Sequence, residues 1–142
     1  MRPNRLVLFR AKHIGTKKWI YGWPIQCAGR VFMVDKDNKT ALRAFTTHDH
    51  DAYDWRTSEV DADTLCEFTG AFDKHGNPIY ESDIVRKRTY QGMKNCQVFF
   101  FSGYFHCGWG GGSSTATHPY LLEDKNIEIV GNVFDNPEVL SE

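Results

Sequence analysis

Apolar and polar residues alternate with a period of two along most of this chain, a pattern that predicts short strands. Phe68–Arg88, FTGAFDKHGNPIYESDIVRKR, is the clearest case. It reads as a strand, a tight turn and a second strand. Asp73 opens the turn, Gly76 can take a positive φ, and Asn77-Pro78 returns the chain to extended geometry. Upstream, Leu6–Lys12 predicts a strand with Leu6, Leu8 and Arg10 on one face and Val7 and Phe9 on the other. Trp19–Gln26 predicts another, and Gly22 and Pro24 within it imply a bend or a sheet edge. Arg30–Asp35 and Thr40–Phe45 form a candidate hairpin around Lys36-Asp37-Asn38-Lys39. Thr46–Ser58 shows neither period and reads as a polar loop, after which Asp61 or Asp63 could cap a short helical turn.

Downstream, Asp83–Tyr90 sets Ile84 and Arg86 against Val85 and Lys87 on alternate faces. Asn95–Phe101 and Tyr104–Trp109 flank a Ser102-Gly103 turn, and Gly108–Ser114 is a glycine-rich loop. Ile127–Phe134 supplies a closing strand with a bulge expected at Gly131, and Asn136-Pro137 begins a C-terminal turn. The run Phe99-Phe100-Phe101 places bulky rings on both faces of one strand. Burial of both faces is therefore expected, one inside the fold and the other against the N-terminal strands or a second subunit.

These elements imply a mostly β fold, all-β or α+β with little helix. Residues 1–58 form an N-terminal antiparallel meander and loop. Residues 59–142 form a small, partly open SH3-like β-barrel, and the two are expected to share a core. Five short strands in the second part fit such a barrel better than a sandwich, which needs about seven.

Composition narrows the function classes. The 142 residues are 41% hydrophobic and 25% charged, ordinary values for a folded soluble chain, and a 14% aromatic share favours strands. A formal net charge of −1 argues against a dedicated nucleic-acid clamp while leaving room for a local basic strip. The apolar run at Leu6–Phe9 is too short for a signal peptide, so neither secretion nor membrane insertion is expected. Cys27, Cys66, Cys96 and Cys107 lack a C-x-x-C pair and read as free thiols, partly buried.

Three ordered segments resemble the YopX family of bacteriophage and prophage proteins. They are Phe9–Gly22 (FRAKHIGTKKWIYG), the block from Val60 through Phe68-Thr69-Gly70, Asp73, Gly76, Ile79-Tyr80-Glu81 and Asp83-Ile84-Val85, and Ile127–Leu140 (IEIVGNVFDNPEVL). Ser82 departs from the family pattern, which has glycine there. The resemblance implies a phage-borne, cytoplasmic, mostly β protein, and it implies no catalytic residues.

Several side-chain groups remain as candidates for chemistry. His48 and His50 share a face of an extended segment and could approach one metal ion, yet a polar loop explains His48-Asp49-His50-Asp51 equally well. Cys96, His106 and Cys107 could converge across a hairpin, but His106 and Cys107 point to opposite faces, so at most one joins Cys96. No phosphate loop occurs, and the carboxylates form no acid–base pair. Arg86, Lys87, Arg88 and Tyr90, with Lys94 nearby, form the sharpest basic cluster; Arg86, Arg88 and Tyr90 share one face, suiting phosphates and a stacked base. A solvated, edge-protecting face accounts for them as well. The expectation is a non-catalytic interaction or assembly protein without cofactor or resident metal, self-associating as a homo-oligomer in the bacterial cytoplasm. Its alternative is a weak nucleic-acid-binding module using the basic strand.

Overall fold

The computed structural model describes residues 6–37, 57–90, 92–101, 103–108 and 126–141. Among them are ten strands, every pairing antiparallel, and two 3-10 turns. The chain divides into two compact units, one of Val7–Glu67 and one built mainly of Phe68–Glu142. The boundary expected after Ser58 falls inside a strand of the first unit, Thr57–Val60.

The first unit is a sheet of β1 (Phe9–Lys12), β2 (Trp19–Cys27), β3 (Arg30–Asp35), β4 (Thr57–Val60) and the start of β5 (Cys66–Phe72), in the order β4-β3-β2-β1-β5. One face carries Ala11, Val31, Met33 and Val60, all buried, with Phe9, Ile20 and Leu65 packed around them. β2 is a continuous interior strand, not the bent or edge strand its glycine and proline suggested. Gly22 sits there because a Cβ would lie 1.8 Å from the Val34 carbonyl oxygen, so β2 and β3 approach too closely for any side chain. Pro24 is tolerated because it lies beyond the last β1–β2 pair, Phe9 with Gly22, where β1 asks for no N–H. β3 pairs with β4, so Thr57 and Ser58 belong to a strand and not to the polar loop. The proposed second arm of the hairpin, Thr40–Phe45, lies outside the described residues. Asp61 caps the turn Ala62–Thr64, accepting from the Asp63 N–H at 3.0 Å.

The second unit holds the remainder of β5, β6 (Pro78–Tyr80), and a sheet of β7 (Asp83–Thr89), β8 (Gly92–Phe101), β9 (Tyr104–Gly108) and β10 (Glu128–Asn132) in the order β10-β7-β8-β9. Its core gathers Ile79, Val85, Cys96, Val98, Cys107 and Ile127, each wholly buried. The glycine turn forms as its residues require: Gly76 has φ +83°, and Asp73 Oδ1 accepts from the N–H groups of His75 and Asn77, both at 2.9 Å. Asp73 Oδ2 accepts from Ile129 N–H at 3.2 Å, tying the turn to β10. Burial would raise this carboxyl's pKa, but the N–H groups of Asn77, Ile129 and His75 outweigh it and hold the value below the ordinary one.

The second arm of that hairpin is shorter than the sequence pattern suggests. A second turn at Tyr80–Asp83 interrupts it, with Asp83 Oδ2 accepting from Tyr80 N–H at 2.8 Å. Ser82, at the position where the resemblance expected glycine, has φ +69°. Its N–H donates to Val98 O at 2.7 Å and its carbonyl accepts from Val133 N–H at 2.9 Å, so neighbours on both sides hold this conformation. The bulge expected at Gly131 is present between Ile129 and Gly131, and Pro137–Ser141 forms the C-terminal 3-10 turn.

Candidate interaction surfaces

β8 is the longest strand of the second unit, and each of its ends forms a hairpin tip of different character. At the first tip, β7 and β8 pair Arg86 with Asn95, Lys87 with Lys94, Arg88 with Met93 and Thr89 with Gly92. Arg86 and Arg88 are exposed on one face and Tyr90 is 88% exposed beyond them, as the alternation required. Arg86 Nε donates to Asn95 Oδ1 at 3.2 Å, and its other cross-strand neighbour is Glu128 on β10. Lys87 faces the opposite way, directly across from Lys94 and beside the buried thiols. The four predicted residues therefore form no single basic strip. Arg86, Arg88 and Tyr90 share a surface, whereas Lys87 belongs to the core-facing side.

That side holds Cys96 and Cys107, both wholly buried on adjacent strands. A side-chain hydrogen-bonding interaction with Cys107, with Lys87 and Lys94 nearby, lowers the Cys96 pKa against the effect of burial. The same interaction, together with burial, pushes the Cys107 thiol up. All four cysteines are free thiols and only Cys27 is exposed. His106 points away from this pair, as its neighbouring position required, so no Cys–His couple forms. Among the described residues no group of three or more His, Cys, Asp or Glu side chains could hold a metal ion. His48 and His50 lie outside the described residues.

The second tip joins β8 to β9, with Phe99 opposite His106, Phe100 opposite Phe105 and Phe101 opposite Tyr104. Strand alternation puts Phe99, Phe101, Tyr104 and His106 on one face, and Phe100 and Phe105 on the other. Among the described residues, the double-sided burial expected of the triple-Phe run does not occur. Phe99 is half-buried, but Phe100 is 53% exposed, Phe101 58% and Tyr104 65%. Phe100 lies on the core-facing side, yet past the end of the core, where its ring meets Phe105 edge-on at 5.1 Å.

His106 is buried among these rings. It stacks on Phe99 at 5.5 Å and meets Phe101 and Tyr104 edge-on, both at 6.3 Å. Its Nε2 lies 3.0 Å from the Phe101 carbonyl and donates to it, which leaves Nδ1 as the bare acceptor. That Nδ1 is buried without a hydrogen-bond partner. Sequence reasoning treated these aromatics as core and passed over Tyr104. A signal was present: no Asp, Glu, Lys or Arg occurs between Lys94 and Glu123. In the first unit, Arg10 was likewise overlooked as a buried cation; its guanidinium lies 4.4 Å above the Trp19 ring, with Lys12 Nζ at 5.3 Å from the same ring.

Comparison with known proteins places the chain as a whole. The sequence model of a family described as YopX protein matches residues 8–141. A crystal structure of protein EF1440 from Enterococcus faecalis is similar over 96% of this chain and 99% of that one, with a TM-score of 0.54 and 18% identity. At that identity the likeness shows the fold alone. No curated protein matches the sequence significantly.

Proposed function

The chain belongs to the YopX family, and from that premise we propose a non-catalytic interaction or assembly protein that works by self-association in the cytoplasm of a phage-infected or lysogenic bacterium. The second unit acts in this reading as a small SH3-like β module that presents a surface. The observation that carries it is the β8–β9 tip, where Phe100, Phe101 and Tyr104 expose aromatic area that a permanently monomeric chain has little reason to keep. Aromatic rings are the residues that most often anchor protein interfaces. Sedimentation velocity of the purified chain tests the reading, with a concentration-dependent dimer or larger species expected. A strictly monomeric protein up to roughly 100 µM, above the micromolar range of weak standard-size interfaces, would sink it.

The alternative is a weak single-stranded nucleic-acid module, favoured by Arg86, Arg88 and Tyr90 sharing one exposed face. It predicts oligonucleotide binding that weakens steeply as salt rises. Flat polarisation traces with single- and double-stranded oligonucleotides at low salt would end that reading.

A further inference from the structure

We propose that Lys87 and Lys94 form a binding site for a dianionic phosphate group, held between two ammonium groups that face each other across the β7–β8 hairpin. The inference goes beyond the self-association reading, since it concerns the other end of β8 and needs no second copy. Lys87 and Lys94 are direct partners in the register of the two strands, which sets their Cβ atoms about 5 Å apart on one face. Like charges so placed repel and weaken a sheet. Both side chains are half-buried, and the next pair on that face, Val85 with Cys96, is wholly buried. This apolar floor lowers the local dielectric and strengthens both the repulsion and the attraction to an anion.

The chain does little to offset this pair. Among the described residues the buried or half-buried cations are Arg10, Lys12, Lys87 and Lys94. Arg10 and Lys12 lie over the Trp19 ring. Arg30, Lys36 and Lys74, all exposed, each pair with a carboxylate. Lys87 and Lys94 have no acidic partner among the described residues. Cys107 does most to lower the Cys96 pKa against burial, and both lysines add to it, so the two ammonium groups bear on one spot. From Ile84 to Leu122 the sequence holds Arg86, Lys87, Arg88 and Lys94 and no Asp or Glu, in a chain of formal net charge −1. Lysine stems often lie along apolar surface with their heads in water. That habit accounts for either lysine alone, but gives no reason to set two face to face.

Charge selects the occupant. A terminal phosphate carries about 1.5 to 2 negative charges near neutral pH, so one group balances both lysines. A chloride, a carboxylate or one link of a phosphodiester backbone brings a single charge. Lysines serve phosphate as point charges whose rotatable N–H donors can follow its oxygens.

The test follows backbone amide resonances of the full-length chain at about pH 7.5, above the second phosphate pKa of about 6. Inorganic phosphate should shift the amides of Lys87, Lys94 and Cys96 saturably, with half-saturation on the order of 1 mM. Sodium chloride at equal ionic strength should not. Tighter binding of glucose 6-phosphate than of inorganic phosphate identifies an ester as the ligand, and the reverse order identifies the free ion; either supports the site. Lys94→Gln should weaken phosphate binding by roughly 5- to 10-fold, the effect of losing one charge-assisted contact. Lys18→Gln, which removes the same charge from the first unit, should change it by less than about 2-fold. Without phosphate, Lys94→Gln should melt no lower than wild type, because it relieves a repulsion. The site is overturned by shifts that track ionic strength alone, by phosphate affinity that survives Lys94→Gln, or by a phosphate-free Lys94→Gln that melts below wild type. Displacement of phosphate by an oligonucleotide without a terminal phosphate overturns it as well. None of these outcomes bears on self-association.

Discussion

The two tips of β8 form a natural experiment within one strand. Gly92, Met93 and Lys94 belong to a tip bordered by Arg86, Arg88 and Tyr90; Phe99, Phe100 and Phe101 belong to one bordered by Tyr104 and Phe105. Between them the same strand contributes Cys96 and Val98 to the core. The first tip would act at a distance, through charges screened within about 10 Å at ordinary salt. The second acts only on contact, through removal of ring area from water. Exposure alone does not distinguish them, since both tips are open. What distinguishes them is whether the exposed groups keep water and other sheets away or invite them, and only the aromatic tip lacks any group that does the former.

This contrast can be broken at several points. The largest effect is expected at the shared middle. Val98→Ala should cost about 3 kcal/mol by chemical denaturation, because the lost methyl groups leave a hole among fully buried neighbours. A cost below about 1 kcal/mol would mean that the tips do not hang on a common packed core. Next comes Asp73→Ala, which strands N–H groups of His75, Asn77 and Ile129 and should cost about 2 kcal/mol at neutral pH.

The pH dependence of that second variant gives a sharper check. The folded-state carboxyl of Asp73 titrates below its unfolded value, so its contribution is complete above the unfolded value of about 4 and fades as pH falls through the folded one. The stability gap between wild type and Asp73→Ala should therefore narrow in acid, and a gap constant from pH 7 down to pH 2 would contradict the hydrogen-bonded carboxylate.

Substitutions at the tips should barely move stability but should separate the two surfaces by function. Phe101→Ser removes a ring that is already mostly in water, so its melting midpoint should change by no more than about 0.5 kcal/mol equivalent while self-association weakens. Arg86→Gln with Arg88→Gln should leave assembly intact and abolish whatever oligonucleotide binding the protein shows. If the arginine pair, and not Phe101, controls assembly, the assignment of roles to the tips is reversed. The smallest effect concerns Ser82. Glycine there relieves the positive φ but adds freedom to the unfolded chain, so Ser82→Gly should stabilise by about 0.5 kcal/mol, measurable as a shift in denaturant midpoint. A loss of stability would show that the serine side chain, not its backbone, matters at this turn.

Much of the architecture was legible along the chain because strands and tight turns are local. Period-two alternation located nearly every described strand. Asp73, Gly76 and Asn77-Pro78 specified their turn through φ preferences and side-chain acceptors that act within a few residues. The resemblance marked Ser82 as a place where glycine was expected, and only the structure showed that the serine takes a positive φ there. The same local logic assigned Arg86, Arg88 and Tyr90 to one face and separated His106 from Cys107. β4 escaped notice because Thr57-Ser58-Glu59 is polar, and its strand state comes from pairing with β3, a partner more than twenty residues away in sequence.

The amino-acid order by itself therefore determined the strand class, the principal turns and the alternation of faces, since steric limits on φ and the period of the pleat are properties of neighbouring residues. Tertiary structure decided which faces are covered. Gly22 is demanded by the closeness of β3, Cys96 and Cys107 meet because β8 and β9 adopt one register, and Phe100 and Phe101 stand in solvent because the core ends at Val98. Burial is a sum over distant segments, and no local pattern of hydrophobic residues can say where that sum stops.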